Sequence, residues 1–278
     1  MFLIPVRGVW VGVGVTVVAL LTTGKVVDAD EGGDPPRTVV TIEGERFRIN
    51  GAWTYAGRVW KGHPIEGLLF NSRMVQATFN DRNPATRDRW AYPDTGIWNP
   101  NRNTREFLEA MPVWRARGLL AVTINLQGGS PEGYSREQPW LNSAIEPDGS
   151  LRPEDLVRVA QVLDKANELG MAVILGIFYF GQDQRLQDEA AVIAAVDHLV
   201  DWIRERGDRH VLIEINNECN VRYDHAILRP ERVHELILRV KTRSRQEGGP
   251  GLLVSTSYGG GRIPDPSVVE AADFLLLH

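Results

Sequence analysis

From residue 67 onward, short apolar runs alternate with longer amphipathic stretches, the rhythm of repeated strand and helix units on a parallel sheet. Six strands are predicted, at Gly67 to Phe70, Leu119 to Leu126, Met171 to Phe178, His210 to Asn216, Leu252 to Ser257 and Phe274 to His278. The third run, Met-Ala-Val-Ile-Leu-Gly-Ile-Phe, has no polar face, as a strand covered on both sides requires. Helical spacing follows in four stripes: Phe107, Met111 and Trp114; Leu156, Val159, Leu163 and Ala166; Val192, Val196, Leu199 and Ile203; Val233, Leu236, Ile237 and Val240. Asn103 with Glu106 three residues on, and Pro153 and Pro230 each followed by an acid, predict helix starts. Gly118, Gly170 and Gly207 predict the stops. Ahead of these units, Thr38 to Ile42 and Arg46 to Asn50 flank Glu43-Gly44-Glu45, which predicts a hairpin.

An α/β chain of this kind is either a doubly wound sheet or a barrel. A dinucleotide-binding sheet needs a Gly-rich turn opening the first helix and an acid about 20 residues later, and the sequence has neither. The first strand instead leads through Asn71-Ser72-Arg73-Met74 into a loop of about thirty residues, and long βα loops are where a TIM (β/α)8 barrel builds its site. The barrel is therefore the expected fold. About six βα units are visible, with His278 at the end of the sixth strand, so the expectation is a barrel incomplete at its C-terminus.

The first thirty residues have a different character. Arg7 precedes an uncharged, Val-rich run from Gly8 to Gly24, and Val27-Asp28-Ala29 offers a small-residue cleavage site. That pattern predicts a signal peptide over 1–29, a disordered lead-in over 30–37 and the barrel over 38–278. The mature protein is then secreted or periplasmic, without stable membrane association; an uncleaved signal anchor that tethers it to the membrane is the alternative. With 31 basic side chains against 36 acidic ones, the net charge of -5 lacks the basic excess expected of a nucleic-acid partner. The single Cys cannot make an internal disulfide or a multi-thiolate zinc site, and no metal or cofactor is expected.

Polar residues gather at the predicted strand ends: Arg73; Asn125 and Gln127; Tyr179, Gln182 and Asp183; Asn216, Asn217 and Glu218; Ser257 and Tyr258; and His278. The sharpest pattern is Val-Leu-Ile-Glu-Ile-Asn-Asn-Glu. Neighbours on a regular strand face opposite ways, so Asn217 and Glu218 can share one site only at an irregular strand end. An Asn-Glu pair ending strand four resembles the clan A glycoside hydrolases, the (β/α)8 group that includes the cellulase-like family 5. The resemblance covers the chain from about Phe47. It implies a glycosidase acting on O-glycosidic bonds of a poly- or oligosaccharide, with Glu218 as general acid/base and Asn217 bonded to the sugar 2-hydroxyl. His278 would match the histidine of the sixth strand end, and Tyr258 would contact substrate or carboxylate. The family's Arg at the end of strand two is replaced by Asn125 and Gln127, with Arg73 as candidate substitute, and the Pro after Asn-Glu by Cys219. The clan's nucleophile lies on strand seven, beyond the residues present.

Retaining hydrolysis needs two carboxyls about 5 Å apart, one protonated and one ionised. Glu214, four extended residues from Glu218, is too far to be the second and is expected to be a barrel-interior acid with a buried partner. Asp183 could serve as an inverting base, or order loops. Trp53, Trp60, Trp90, Trp98 and Trp140 lie outside the predicted elements and either stack on pyranose rings or anchor loops. Cys219 reads as a small hydrophobe, and Asp224, His225 and His234 lack a third ligand at metal spacing. The competing function is a non-catalytic carbohydrate-binding protein on a degenerate barrel.

Overall fold

The computed structural model describes residues 37–129, 132, 138–245 and 248–277. The expected signal peptide, most of the lead-in and His278 lie outside the described residues. In chain order the strands are β1 (Val40–Glu43), β2 (Arg46–Ile49), β3 (Ala52–Trp53), β4 (Val59–Trp60), β5 (His63–Pro64), β6 (Asn71–Arg73), β7 (Ala121–Asn125), β8 (Ala172–Phe178), β9 (Val211–Asn216), β10 (Leu253–Ser255), β11 (Ser257–Tyr258) and β12 (Leu276–Leu277). The α-helices are α1 (Pro100–Ala116), α2 (Pro153–Leu169), α3 (Glu189–Arg206), α4 (Val233–Ser244) and α5 (Pro266–Ala271).

Strands β6 to β10 form one parallel sheet in sequential order, and β11 pairs in parallel with β12. The predicted fifth strand is thus two short pieces either side of Thr256, one paired to β9 and the other to β12. Thr256 spends its hydroxyl on the carbonyl and side chain of Asn216, which fixes the break beside the end of β9. With helices between the strands, this is the α/β arrangement of a (β/α)8 barrel over about six of its units.

Period-two alternation explains why the strands are apolar throughout. On β8, Val173, Leu175 and Ile177 pack against the helices, sharing one cluster with Leu163, Val196, Leu199 and Ile237. Ala172 and Ile174 point the other way and meet Ala121, Leu212 and Leu276, with Val40 of the hairpin packed among them. The β1–β2 hairpin therefore fills the interior from the end where the strands begin. Its Val40 N–H bonds the Arg209 carbonyl at 2.9 Å, just ahead of β9.

The ends of α2 and α3 follow their chemistry. Pro153 opens α2, the Asp188 side chain caps α3 by accepting from the Ala191 N–H at 2.8 Å, and Gly170 and Gly207 end the two helices in the left-handed conformation. Three predicted boundaries move. Pro230 lies in the turn before α4, which starts at Val233. The N-cap of α1 is Asn99, which accepts from Arg102 N–H, whereas Asn103 sits inside the helix and donates to the Gln76 and Ala77 carbonyls. The first barrel strand begins at Asn71 rather than Gly67. Gly67, at φ 83°, is held by Phe47 and Thr54 instead, and Leu68 and Phe70 are left exposed.

His210, just before β9, is buried and ties it to α2 through Nε2 and the Leu163 carbonyl at 3.0 Å. Burial holds its pKa below the ordinary value. The unfolded chain then takes up the proton first, so stability is fully present above the unfolded pKa of about 6.5 and is lost as pH falls below it. Thermal unfolding at pH 7.5 and 5.5 checks this: the melting temperature of the parent is expected to fall on acidification, and that of His210→Gln to fall less.

Candidate functional site at the C-terminal strand ends

At its C-terminal half the barrel interior turns from apolar to polar. Glu214, at the middle of β9, is completely buried, and across the interior Arg73, at the end of β6, donates Nη2 to both of its oxygens, at 2.7 and 2.8 Å. Arg73 also reaches Asn125 Oδ1 at 3.5 Å. The buried partner expected for Glu214 is Arg73. Gly176 lies between these side chains for a steric reason: a Cβ there would stand 2.5 Å from the Asn125 amide nitrogen.

Ser257 connects this ion pair to Glu218. Its hydroxyl donates to Glu214 Oε1 at 2.6 Å and accepts from the Glu218 N–H at 2.9 Å, while its carbonyl accepts from the Cys219 N–H at 2.9 Å. Glu218 itself is in the left-handed region at φ 52°, uncommon for a non-glycine residue. That turn supplies the irregular strand end that the Asn-Glu pair demands. Gly259 fits against the Glu218 carboxyl, because a Cβ at 259 would come within 2.8 Å of its Cδ. Asn220 then clamps Gly259, accepting from its N–H at 2.8 Å and donating to its carbonyl at 3.3 Å.

Asn217 is fully buried and its backbone is spoken for: the N–H bonds Phe178, and the carbonyl accepts from the Tyr223 hydroxyl at 2.6 Å. Its side-chain oxygen and nitrogen have no hydrogen-bond partner among the described residues. Neutral amides are seldom left that way. Asn216, one residue earlier, is a structural neighbour, bonded to Leu228 and Thr256.

Other predicted site residues are placed elsewhere. Gln127 is buried in the loops after β7 and β8, donating to Ser143 and the Gln182 carbonyl and accepting from the Tyr179 N–H. Tyr258 accepts from the Asp265 N–H at 3.2 Å and lines a separate cavity with Cys219. Burial raises its hydroxyl pKa and pushes the Cys219 thiol up to about 12, so that thiol stays protonated at neutral pH. Asp183 orders a loop: Oδ2 accepts from the Asp224 and His225 N–H groups, and burial raises its pKa. Of the loop tryptophans, Trp90 and Trp140 are buried with Phe79 and pack beside Trp98, Trp90 donating to Asp81. These three anchor the long loop. Trp53 lies under Arg46 and Arg48, and Trp60 is exposed on the β4–β5 hairpin. Among the described residues, no three His, Cys, Asp or Glu side chains come together to hold a metal.

No protein-family model matches the chain, and no curated protein matches it in sequence. It is similar in fold to solved structures of glycoside hydrolases, several of them family 5 enzymes. One is a family 5 enzyme from Prevotella bryantii, at 13% identity and a TM-score of 0.46, covering 74% of this chain and 59% of that one. Another is an endo-1,4-beta-mannanase from Eisenia fetida, at 14% identity and a TM-score of 0.47, covering 81% of this chain and 63% of that one. A family 5 mannosidase from Rhizomucor miehei has 10% identity and a TM-score of 0.49, covering 86% of this chain and 61% of that one. The chain thus spans about six-tenths of the length of these structures.

The buried ion pair sets a measurable cost. Arg73→Met removes the ion-pair partner of Glu214 in the interior and is expected to destabilise the fold by about 3–5 kcal/mol, read from urea unfolding. Arg73→Met combined with Glu214→Gln removes both charges and is expected to recover most of that loss.

Proposed function

We propose that the protein is a retaining glycoside hydrolase in which Glu218 is the general acid/base. The observation that carries this reading is the pairing of two features at one strand end. Glu218 is turned into the left-handed conformation and anchored through its N–H by Ser257, and the adjoining Asn217 is buried with an amide that no described residue satisfies. A polyhydroxylated ligand is the chemistry that suits such an amide, since a sugar hydroxyl both donates and accepts. In this reading Asn217 holds the 2-hydroxyl while the Glu218 carboxyl protonates the leaving oxygen.

The second carboxylate is neither Glu214 nor Asp183, the two acids weighed for it in the sequence. Glu214 has both oxygens occupied by Arg73 and one of them also by Ser257, and Asp183 is committed to the 224–225 loop. In this reading the nucleophile is a second carboxylate at another strand end. The reading also takes residues 1–29 as an export signal, so the enzyme works outside the cytoplasm on a poly- or oligosaccharide.

Glu218→Gln in the full-length enzyme is expected to lower hydrolysis of an unactivated glycoside by about 10²- to 10⁴-fold. An activated aryl glycoside, whose leaving group needs no proton, is expected to lose much less in the first step and to regain rate with added azide. Full activity of the variant on the unactivated substrate would remove Glu218 from the mechanism, whereas binding of oligosaccharides with no hydrolysis by the parent would leave a carbohydrate-binding protein as the better reading.

A further inference from the structure

The peptide unit that joins Asn217 to Glu218 is held from both sides by side-chain hydroxyls. Its carbonyl accepts from the Tyr223 hydroxyl at 2.6 Å, and its N–H donates to Ser257 Oγ at 2.9 Å. Just beyond it Glu218 takes its left-handed turn at φ 52°, a conformation that costs a residue with a side chain free energy unless its surroundings impose it. Turning that one peptide over, about the single bonds that flank it, would bring Glu218 to a φ of about −130°, in the ordinary extended region. It would also swing the Cα–Cβ bond of Glu218 and lift its carboxyl off Gly259, where the fit leaves no room even for a Cβ. The hydroxyls therefore oppose a relaxation that the backbone favours.

Tyr223 is itself held firmly. It is buried, and its hydroxyl also reaches the Phe178 carbonyl at 3.4 Å. Its own carbonyl accepts from Arg229 Nε at 2.9 Å, and the next two N–H groups, of Asp224 and His225, donate to Asp183 Oδ2 at 2.8 and 3.3 Å. The ring thus stands between a pinned loop and the peptide it bonds. Burial holds the hydroxyl pKa well above its ordinary value, so the group remains a donor at neutral pH.

We propose that Tyr223 is a positioning residue for the proposed acid: its hydroxyl, opposed to that of Ser257, locks the 217–218 peptide in the orientation that presents the Glu218 carboxyl to a glycosidic oxygen. Asp183 and Arg229 act on the same peptide through Tyr223, by holding its loop in place. The link to catalysis rests on the glycosidase reading; the lock itself does not. Full-length Tyr223→Phe keeps the ring and removes one oxygen. Its kcat on an unactivated glycoside is expected to fall about 10- to 100-fold with KM changed by less than about three-fold, while the first-step rate on an activated aryl glycoside changes by less than about three-fold, because the misplaced group is the acid. A merely structural role would lower both substrates alike. A crystal structure of the variant is expected to show the 217–218 peptide turned over, with a negative φ at residue 218. Arg229→Met, which removes an exposed side chain, is expected to move the ratio of the two rates in the same direction by a smaller factor, and it stands in for Tyr223→Phe should that variant not fold. An unchanged ratio, equal losses on both substrates, or a residue 218 that keeps its left-handed turn in the variant overturns the lock. If the parent hydrolyses no glycoside, the glycosidase reading falls and the orientation of the peptide in the variant decides the lock by itself.

Discussion

The contact on which the upper half of this molecule depends is the ion pair between Arg73 and the fully buried Glu214. A carboxylate in a strand interior is tolerable only when its charge is met and its lone pairs are used. Arg73 supplies the charge from the end of β6, and Ser257 adds a hydrogen bond from β11, so three elements far apart in sequence are drawn to one point. The same Ser257 hydroxyl then accepts from the Glu218 N–H. The backbone of the proposed acid is therefore fixed by the solution the fold finds for its buried charge. Fixing a catalytic group in advance spares the cost of ordering it when substrate arrives.

The interior divides labour along its axis. At the end where strands begin, small and branched side chains, Ala121, Ala172, Ile174 and Leu212, close around Val40 of the hairpin and make an apolar floor. At the other end Arg73, Asn125, Glu214 and Ser257 replace them, and Gly176 gives up its side chain so that the Asn125 amide fits. The tryptophan cluster of Trp90, Trp98 and Trp140 supports the long loop after β6, and the anchoring role accounts for it without a sugar.

Much of this was legible in the sequence. The strands β7, β8 and β9 and the helices α2 and α3 are long and strongly periodic, with Pro153 opening α2 and Gly170 and Gly207 closing the two helices, so periodicity and punctuation agree. The polar strand ends marked Arg73, Asn125, Asn217 and Glu218, and Glu214 was recognisable as an interior acid in an apolar strand. What escaped was tertiary. Nothing local says that Gly67 is held by the hairpin rather than the sheet, that Thr256 divides one strand into two, or that Asn103 is needed by the loop beneath it. Ser257 and Gly259 acquire their roles only through residues about forty positions away, and Gln127 and Tyr258 stand at strand ends yet are turned into the loops. A strand-end rule gathers these residues at one end of the sheet; it does not say which side chains face the centre.

The most direct test of the account is a crystal structure of full-length Glu218→Gln with an uncleaved oligosaccharide bound. The account requires a glycosidic oxygen within hydrogen-bond reach, about 3 Å, of the side chain at 218, with a 2-hydroxyl on the Asn217 amide and the Arg73, Glu214 and Ser257 contacts unchanged. A sugar seated elsewhere on the barrel, with the Asn217 amide still unpartnered, would contradict it.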